Sequence, residues 1–393
     1  MKILILSYFY EPDICAGSFR AKALVNQLLE QGSPDDRVDL VTTQPHRYQG
    51  SESNPPCFVR SGRLRIYRIP VKMLGSGFFS SLVSFVLYSL RICWFLRRHE
   101  YDVVVSTTSR LGTGLLGVLV SKITGGLHYL DIRDLFADTL KSVFSGYLGR
   151  LVVFPFFILE EWVFRRADKI NIVSEGFRSD VMGKSNTKDL TTFPNGIDLV
   201  FSGKDYSNPF SEKKIITYAG NIGEGQGLEI LLPKVLSKLP SDFEIHVYGS
   251  GSKLLNLKKL SLKYENLLVF APVGRTELLD VYRRSAILLL HLNALPAFEK
   301  VLPSKVFEYG ATGKPVLAGV SGYSVDFIKT NLPSWHIFDP CDGEGFLREL
   351  SRCDLDCSQN SHFVHRYARE AIMSNMAKQV LSLGCIAEAG GVS

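Results

Sequence analysis

Short apolar runs alternate with segments of helical period along nearly the whole of this 393-residue chain. No other feature narrows its folds as much. Runs at 2–6, 38–42, 65–70, 103–106, 128–132 and 169–173 are strand-like, and several are apolar on successive rather than alternate residues. Strands of that kind are buried on both faces, as in a parallel sheet covered by helices. Between them, 20–31 spaces Ala21, Leu24, Val25, Leu28 and Leu29 along one helical face, and 112–122 is a Gly/Leu-rich helix. The run at 169–173 reads as the last strand of this half. Residues 198–214 then gather Gly, Ser, Asn, Pro and charge, a linker composition. The pattern restarts with strands at 215–219, 244–248, 267–271, 287–292, 315–319 and 335–338, and helices at 228–239, 276–285 and 304–312. A final helical stretch covers 362–383. The expectation is an α/β protein of two parallel-sheet domains, 1–197 and 215–359, joined by a linker at 198–214. Residues 360–393 are expected to form a helix returning toward the first domain.

Composition closes several alternatives. With 46% hydrophobic and 21% charged residues the chain can bury a sizeable core and is not disordered. Its 45 basic and 39 acidic side chains leave only +6, which does not favour obligate nucleic-acid binding. Seven cysteines, odd in number and without a Cys-x-x-Cys pair, argue against a disulfide framework or a zinc site and for a reducing compartment. The apolar start, Met1 to Leu6, lacks the long core and cleavage site of a secretory signal and reads as a first strand.

One stretch concentrates the apolar excess behind the mean hydropathy of +0.08. Phe78–Leu96 is nearly long enough to span a bilayer, but serines and Arg91 interrupt it and Arg97-Arg98 follows. Spanning would place Arg91 in hydrocarbon at a cost of about 2.5 kcal/mol or more. A buried helix and an in-plane amphipathic helix at a membrane surface are the stronger readings, the latter helped by the basic residues of 60–72. A second apolar run, 151–164, reads as a packed interdomain helix.

The segment Pro303-Ser-Lys-Val-Phe-Glu308-Tyr is the most informative for chemistry. Pro303 and Ser304 suit a helix start, with Ser304 as N-cap. Lys305 then stands in the first turn, where unpaired N–H groups favour an anion, and Glu308 lies one turn on, on the same side. Amides and Lys305 can hold a diphosphate while Glu308 accepts from ribose hydroxyls. The same residues also fit an ordinary helix with a surface Lys and Glu. Asp131, Arg133 and Asp134 follow a first-half strand at its carboxyl end, where ligands of open α/β sheets gather. Asp134 can orient or deprotonate a hydroxyl. Arg133 can instead pair with Glu11 or Asp138. His128 reads as a core histidine, Asp354-Leu-Asp356 as a chance match to a metal motif, and Gly249-Ser-Gly251 as a short glycine loop.

These residues bring a family into view. The run from Phe298 through Pro303-Ser-Lys and Glu308 to Gly313-Lys-Pro resembles the donor-site signature of family 4 glycosyltransferases. It is most similar to the bacterial branch that builds O-antigen and capsule repeat units from UDP-activated N-acetylated sugars. Five further segments match in the family's order: Tyr8 to Pro12 with Gly17 and Arg20, Asp131 to Leu135, Arg165 to Lys169 with Val173 to Glu175, Pro194 to Asp198, and Tyr218 to Gly223 with Gln226. The resemblance implies the GT-B fold, two facing Rossmann-like domains with a C-terminal crossover helix. It further implies retention of anomeric configuration, a UDP-sugar donor, no metal, and a lipid-linked or saccharide acceptor of undecaprenyl-diphosphate type. A cytoplasmic enzyme with peripheral inner-membrane contact through 78–98 follows from it.

The implied catalytic residues are Asp134, Arg133, Glu299 and Lys305. The implied donor-binding set is Gly17, Gly220, Asn221, Gly223, Gln226, Gly249, Ser304, Lys305 and Glu308. Two departures matter. Where the common motif has a first glutamate, eight residues before Glu308, this chain has Lys300, so Glu299 is the candidate. Where many members carry Arg and Lys after the Gly220 strand, it has Asn221 and Gln226, which leaves Lys305 as the main phosphate cation. A UDP-sugar 2-epimerase of the same fold and a non-catalytic membrane scaffold are the competing functions.

Overall fold

The computed structural model describes residues 1–45, 55–71, 78–108, 111–143, 146–186, 189–207 and 212–390. Lys72 of the basic stretch and part of the expected linker lie outside them. The chain divides into two compact units, Met1–Asn195 with Arg369–Ser393, and Gly196–Ala368.

Unit 1 is built on an eight-stranded sheet. Its strands are β1 (Lys2–Leu6), β2 (Arg37–Thr43), β3 (Phe58–Ser61), β4 (Leu64–Ile69), β5 (Val103–Thr107), β6 (Leu127–Ile132), β7 (Lys169–Ile172) and β8 (Leu190–Thr192), in spatial order 3-4-2-1-5-6-7-8. All pairs are parallel except β3 with β4. Every residue of β5 is buried, as expected of a strand covered on both faces. The helices are α1 (Ala16–Gln31), α2 (Phe78–Leu96), α3 (Leu111–Thr124), α4 (Phe136–Val143), α5 (Gly146–Arg166) and α6 (Arg178–Lys184).

Unit 2 has a six-stranded parallel sheet of β9 (Lys214–Asn221), β10 (Phe243–Ser250), β11 (Leu267–Phe270), β12 (Ile287–His291), β13 (Val316–Gly319) and β14 (His336–Phe338), ordered 11-10-9-12-13-14. Its helices are α7 (Leu228–Val235), α8 (Leu254–Ser261), α9 (Arg275–Arg284), α10 (Lys305–Thr312), α11 (Tyr323–Asn331), α12 (Gly343–Arg352) and α13 (Ser361–Arg366). The chain then re-enters unit 1 as α14 (Arg369–Gly390), which packs along α1 and against β5 and β6.

Four expectations need correction. The single helix expected over 362–383 is two helices, α13 and α14, in different units. Between them the backbone straightens so that Ala368 bridges to Ile197 and the Tyr367 carbonyl accepts from Ile197 N–H at 2.7 Å. The run at 169–173 is not the last strand of its half, because the three-residue β8 follows. The stretch read as a linker folds into unit 2: Phe201 and Tyr206 are core residues, and Asp198 caps a short helical turn and pairs with Arg275 at 2.8 Å. The run at 151–164 is packed on one side only. Val153, Glu160, Val163 and Phe164 are buried within unit 1, whereas Leu151, Phe154 and Ile158 are exposed.

Helix α2 has the same two-faced character. Phe85, Tyr88, Ile92 and Leu96 join a core cluster with Tyr8, Leu4 and Leu116. The opposite side leaves Val83, Val86, Leu87, Leu90 and Trp94 exposed. Among the described residues no helix is long and apolar enough to cross a membrane.

A buried ion pair ties unit 1 together. Arg20 on α1 donates from Nε and Nη2 to the two oxygens of Asp131 on β6, at 2.8 and 2.9 Å. Its remaining donors meet the carbonyls of Pro194 and Phe193 at 2.8 and 2.9 Å, and Met376 of α14 lies against it. Asn171 of β7 adds a third hydrogen bond to Asp131, at 2.7 Å. Removing one partner of such a pair strands a charge in the interior, at a cost of about 3–5 kcal/mol. Arg20→Ala is therefore expected to lower the thermal unfolding midpoint sharply. Arg20→Lys is not expected to restore it, because an ammonium cannot reproduce the fork; a variant melting like the wild type would remove this role.

Candidate functional site

The order of the second sheet places a site before any side chain is considered. β9 pairs with β10 on one side and with β12 on the other, so connections leave it in opposite directions. In an open parallel sheet the crevice at the carboxyl ends of such strands is where ligands bind. The residues there are Gly220-Asn221 on β9, Gly249-Ser250 directly paired with them on β10, and the segment after His291 on β12.

Glycine is required at Gly249, and at Gly220 it makes room for Lys305. A Cβ on Gly249 would fall 1.8 Å from the Gly220 carbonyl oxygen, and one on Gly220 would fall 2.6 Å from Cε of Lys305. Absence of a side chain at Gly220 is thus what lets Lys305 lie across the end of β9. Lys305 opens α10; its Nζ is 3.3 Å from Oε2 of Glu308 and 5.5 Å from the ring centre of Tyr309. Tyr282 donates its hydroxyl to the same Glu308 oxygen at 3.3 Å. Burial, then the Tyr309 and Glu308 surroundings, push the Tyr282 phenol well above its ordinary range, so it remains a donor. Lys305 and Glu308 are both mostly covered.

Ser304 does not cap α10. Its backbone is already helical, with φ −58° and ψ −26°, and its hydroxyl makes no cap bond. The first turn is closed by main chain, with Val306 and Phe307 N–H donating to the Pro303 and Ser304 carbonyls at 3.1 and 3.2 Å. Among the described residues no hydrogen bond uses the N–H groups of Ser304 and Lys305. Two amides and one ammonium are thereby available beside one carboxylate, a set suited to an anion that also carries hydroxyls.

The turn after β9 is fixed from two directions. Gln226 Oε1 accepts from Asn221 Nδ2 at 2.8 Å and from Gly223 N–H at 3.2 Å. Three of the turn's carbonyls are held by the exit of β12: Asn293 binds Glu224 O through Nδ2 and Gly225 O through its N–H, both at 2.9 Å, and His291 Nδ1 binds Gln226 O. His291 Nε2 accepts from Cys341 N–H at 2.9 Å, so the ring is neutral with its proton on Nδ1. Sequence reasoning missed His291 and Asn293. No spacing marks them, since they act through backbone atoms far off in the chain. Asn221 and Gln226, singled out as donor contacts, are first of all partners of each other.

Glu299 lies in the short helical turn Pro296–Lys300 with its side chain exposed, and its backbone packs against Gly322, where a Cβ would fall 2.1 Å from the Glu299 carbonyl. It joins none of the contacts of Lys305 and Glu308 described above. Gly17, Arg133 and Asp134 belong to unit 1. Gly17 is in the first turn of α1 and buried. Asp134 follows β6 and is exposed. Arg133 donates its N–H to Thr108 Oγ1 at 3.1 Å. Burial, then the like charge of Arg20, lower the pKa of its guanidinium, while Asp131 and Asp134 act in the opposite sense. Glu11 pairs with Lys22. His128 is buried, 2.8 Å from Ser106 Oγ, and burial lowers its pKa to about 3. Asp354 and Asp356 lie exposed in a loop.

Residues 204–356 match the model of the family described as Glycosyl transferases group 1. Over a longer span, the chain is 22% identical to a protein of Escherichia coli (strain K12) named as the colanic acid biosynthesis glycosyl transferase WcaI, a name that marks its own assignment as provisional. That similarity covers 82% of this chain and 84% of the relative. Among solved structures, the lipopolysaccharide outer core galactosyltransferase WaaB in its apo form aligns with a TM-score of 0.62 at 13% identity, over 97% of this chain and 99% of that one. An Escherichia coli structure titled for trehalose-6-phosphate and bound with UDP-2-fluoro glucose aligns with a TM-score of 0.64 at 11% identity, over 99% and 98%. The fold is GT-B.

His291 makes unit 2 acid-sensitive. Burial lowers its pKa to about 4 from 6.5. The unfolded chain therefore takes up a proton below about pH 6.5 that the folded domain refuses until about pH 4. Stability is full above that window and falls through it, by about 3 kcal/mol at most. His291→Gln is expected to flatten this part of the denaturant midpoint-versus-pH curve; an unchanged slope between pH 6.5 and 4.5 would contradict the assignment.

Proposed function

We propose that the chain is a retaining glycosyltransferase that moves a sugar, an N-acetylated aminosugar, from a UDP donor to a lipid-linked or saccharide acceptor in bacterial surface-polysaccharide synthesis. The observation that carries the donor half is Lys305 lying across Gly220 beside unused amides and Glu308, at the switch point of the second sheet. In this reading the diphosphate sits on Lys305 and the amides of Ser304 and Lys305, and Glu308 accepts from the ribose hydroxyls. Gly220, Gly223 and Gly249 provide the close backbone approach, with Asn221 and Gln226 holding the turn.

The reaction follows from where charge develops. The acceptor oxygen bonds to the anomeric carbon on the face from which UDP departs, and the carbon–oxygen bond to the β-phosphate breaks. Negative charge grows on that phosphate, and Lys305 with the helix amides stabilises it without a divalent metal. Asp134 is assigned to the acceptor hydroxyl proton, Arg133 and Gly17 to the charge of the reacting groups, and Glu299 to the donor sugar. The acceptor is an undecaprenyl-diphosphate-linked saccharide, met on the cytoplasmic face of the inner membrane through the segment 78–98. The exposed stripe of α2 supports that contact.

Titration calorimetry with UDP tests the donor site. Loss of a charge-assisted contact costs about 1.5–3 kcal/mol, so Lys305→Ala should weaken UDP by roughly tenfold to a hundredfold. Glu308→Ala should weaken UDP more than inorganic diphosphate, which lacks the ribose. Unchanged UDP affinity in Lys305→Ala would remove the phosphate assignment. Incubation with UDP-N-acetylglucosamine and no acceptor separates the competing 2-epimerase, which makes product alone; transfer that survives EDTA is expected of the metal-free reaction.

A further inference from the structure

We infer that unit 1 meets the membrane with a composite face of three neighbouring helices, in which α5 is an anchor equal to α2. The inference rests on the peripheral-membrane part of the proposed function and names the surface that performs it. On α2, Val83, Val86, Leu87, Leu90 and Trp94 fall within one side of the helix, and Leu90 and Trp94 are 62% and 67% exposed. On α5, Leu151, Phe154 and Ile158 repeat at the same helical spacing, with 58%, 62% and 54% exposure. Helix α3 touches both and exposes Leu119 and Ile123.

Glycines at the start of α3 explain why the three lie so close. A Cβ on Gly112 would fall 2.2 Å from the ring of Phe85 on α2, and one on Gly114 would fall 3.1 Å from Val163 on α5. Each outer helix uses its other side, Phe85 to Leu96 or Val153 to Phe164, to bury itself in unit 1. The exposed stripes are therefore held in one layer and cannot turn inward.

Charge selects a lipid occupant. The only acidic residues in α2, α3 and α5 are Glu160 and Glu161. Glu160 is buried against Lys184, and Glu161 pairs with Arg165 on the same helix. Basic residues border the apolar stripes: Arg91, Arg97, Arg98, Lys122 and Arg166 are exposed. Two indoles stand at the border with cations over their rings, Arg97 over Trp94 at 4.9 Å, and Arg166 and Lys122 over Trp162 at 5.7 and 5.6 Å. Apolar residues edged by Trp and cations match the interface of an anionic bilayer.

The test is co-sedimentation of the full chain with vesicles of phosphatidylglycerol and phosphatidylethanolamine, against vesicles of phosphatidylcholine alone. Two triple variants are compared: Leu151→Ser, Phe154→Ser and Ile158→Ser on α5, and Leu87→Ser, Leu90→Ser and Trp94→Ser on α2. All six positions are exposed, so both variants should keep the wild-type melting curve. Wild type is expected to bind the anionic vesicles, and each variant to bind them at least about tenfold more weakly. An α5 variant that sediments like wild type while the α2 variant does not would overturn the composite face and leave peripheral contact through α2 standing. Failure of the wild type to sediment would overturn both. A concentration-dependent dimer abolished by the α5 substitutions, without vesicle binding, would assign the face to a second copy of the chain.

Discussion

Unit 1 depends on one guanidinium placed where water cannot reach it. Arg20 enters on α1, and its donors are shared among Asp131, Pro194, Phe193 and the sulfur of Met376. Those partners come from β6, from the chain leaving β8 and from α14, which is separated from α1 by the whole of unit 2 in sequence. A buried charge held by several fixed acceptors tolerates few alternative packings. This accounts for a C-terminal helix that is not merely appended. Without α14 the guanidinium would lose its cover, and without Asp131 it would be an unpaired charge in the interior.

The same fact changes the reading of the Asp131-Ile-Arg-Asp134 segment. Three charged residues at a strand end look alike in sequence, yet Asp131 is committed to holding the fold. Asp131 is fully engaged with Arg20 and Asn171. Its neighbour two residues on, Arg133, sits close enough to Arg20 for the two positive charges to oppose each other. Asp134 is left exposed. The segment is a structural carboxylate at the end of β6, followed beyond the strand by Arg133 and the exposed Asp134.

Where the sequence carried a periodic signal, the fold was legible in it. Lys2–Leu6 and the strand at β12 need no tertiary information, because successive apolar residues between turn signals have one economical fate. β3 and β8 carry no such signal: β3 is a short exposed edge strand of four residues, and β8 has only three. Within the site, Lys305 and Glu308 were legible since helical spacing alone puts them on one side. Ser304 misled because a Ser after Pro at a helix start is the usual cap signal, yet the main chain closes this turn by itself. His291 and Asn293 were invisible because their partners are backbone carbonyls of residues 224–226, which carry no side-chain signature.

The apolar excess of the chain also resolves into geometry. A helix such as α2 seemed to demand a choice between core and membrane surface, but its two sides do different things. Tyr88, Ile92 and Leu96 are part of the core, and Leu87, Leu90 and Trp94 face outward, about half a helical turn away from them. A helix that is apolar all round is ordinarily buried all round. Here the sheet and α3 can cover only one side, so the other must face solvent or something else apolar. Exposed patches of this size carry an aggregation hazard unless a partner covers them. α5 repeats the arrangement with Pro155 inside it and Glu160 anchored inward to Lys184. An inward carboxylate fixes which side of α5 is buried and therefore which side is left apolar and open. The polar contact that orients the helix is thus also what keeps its apolar stripe on the surface.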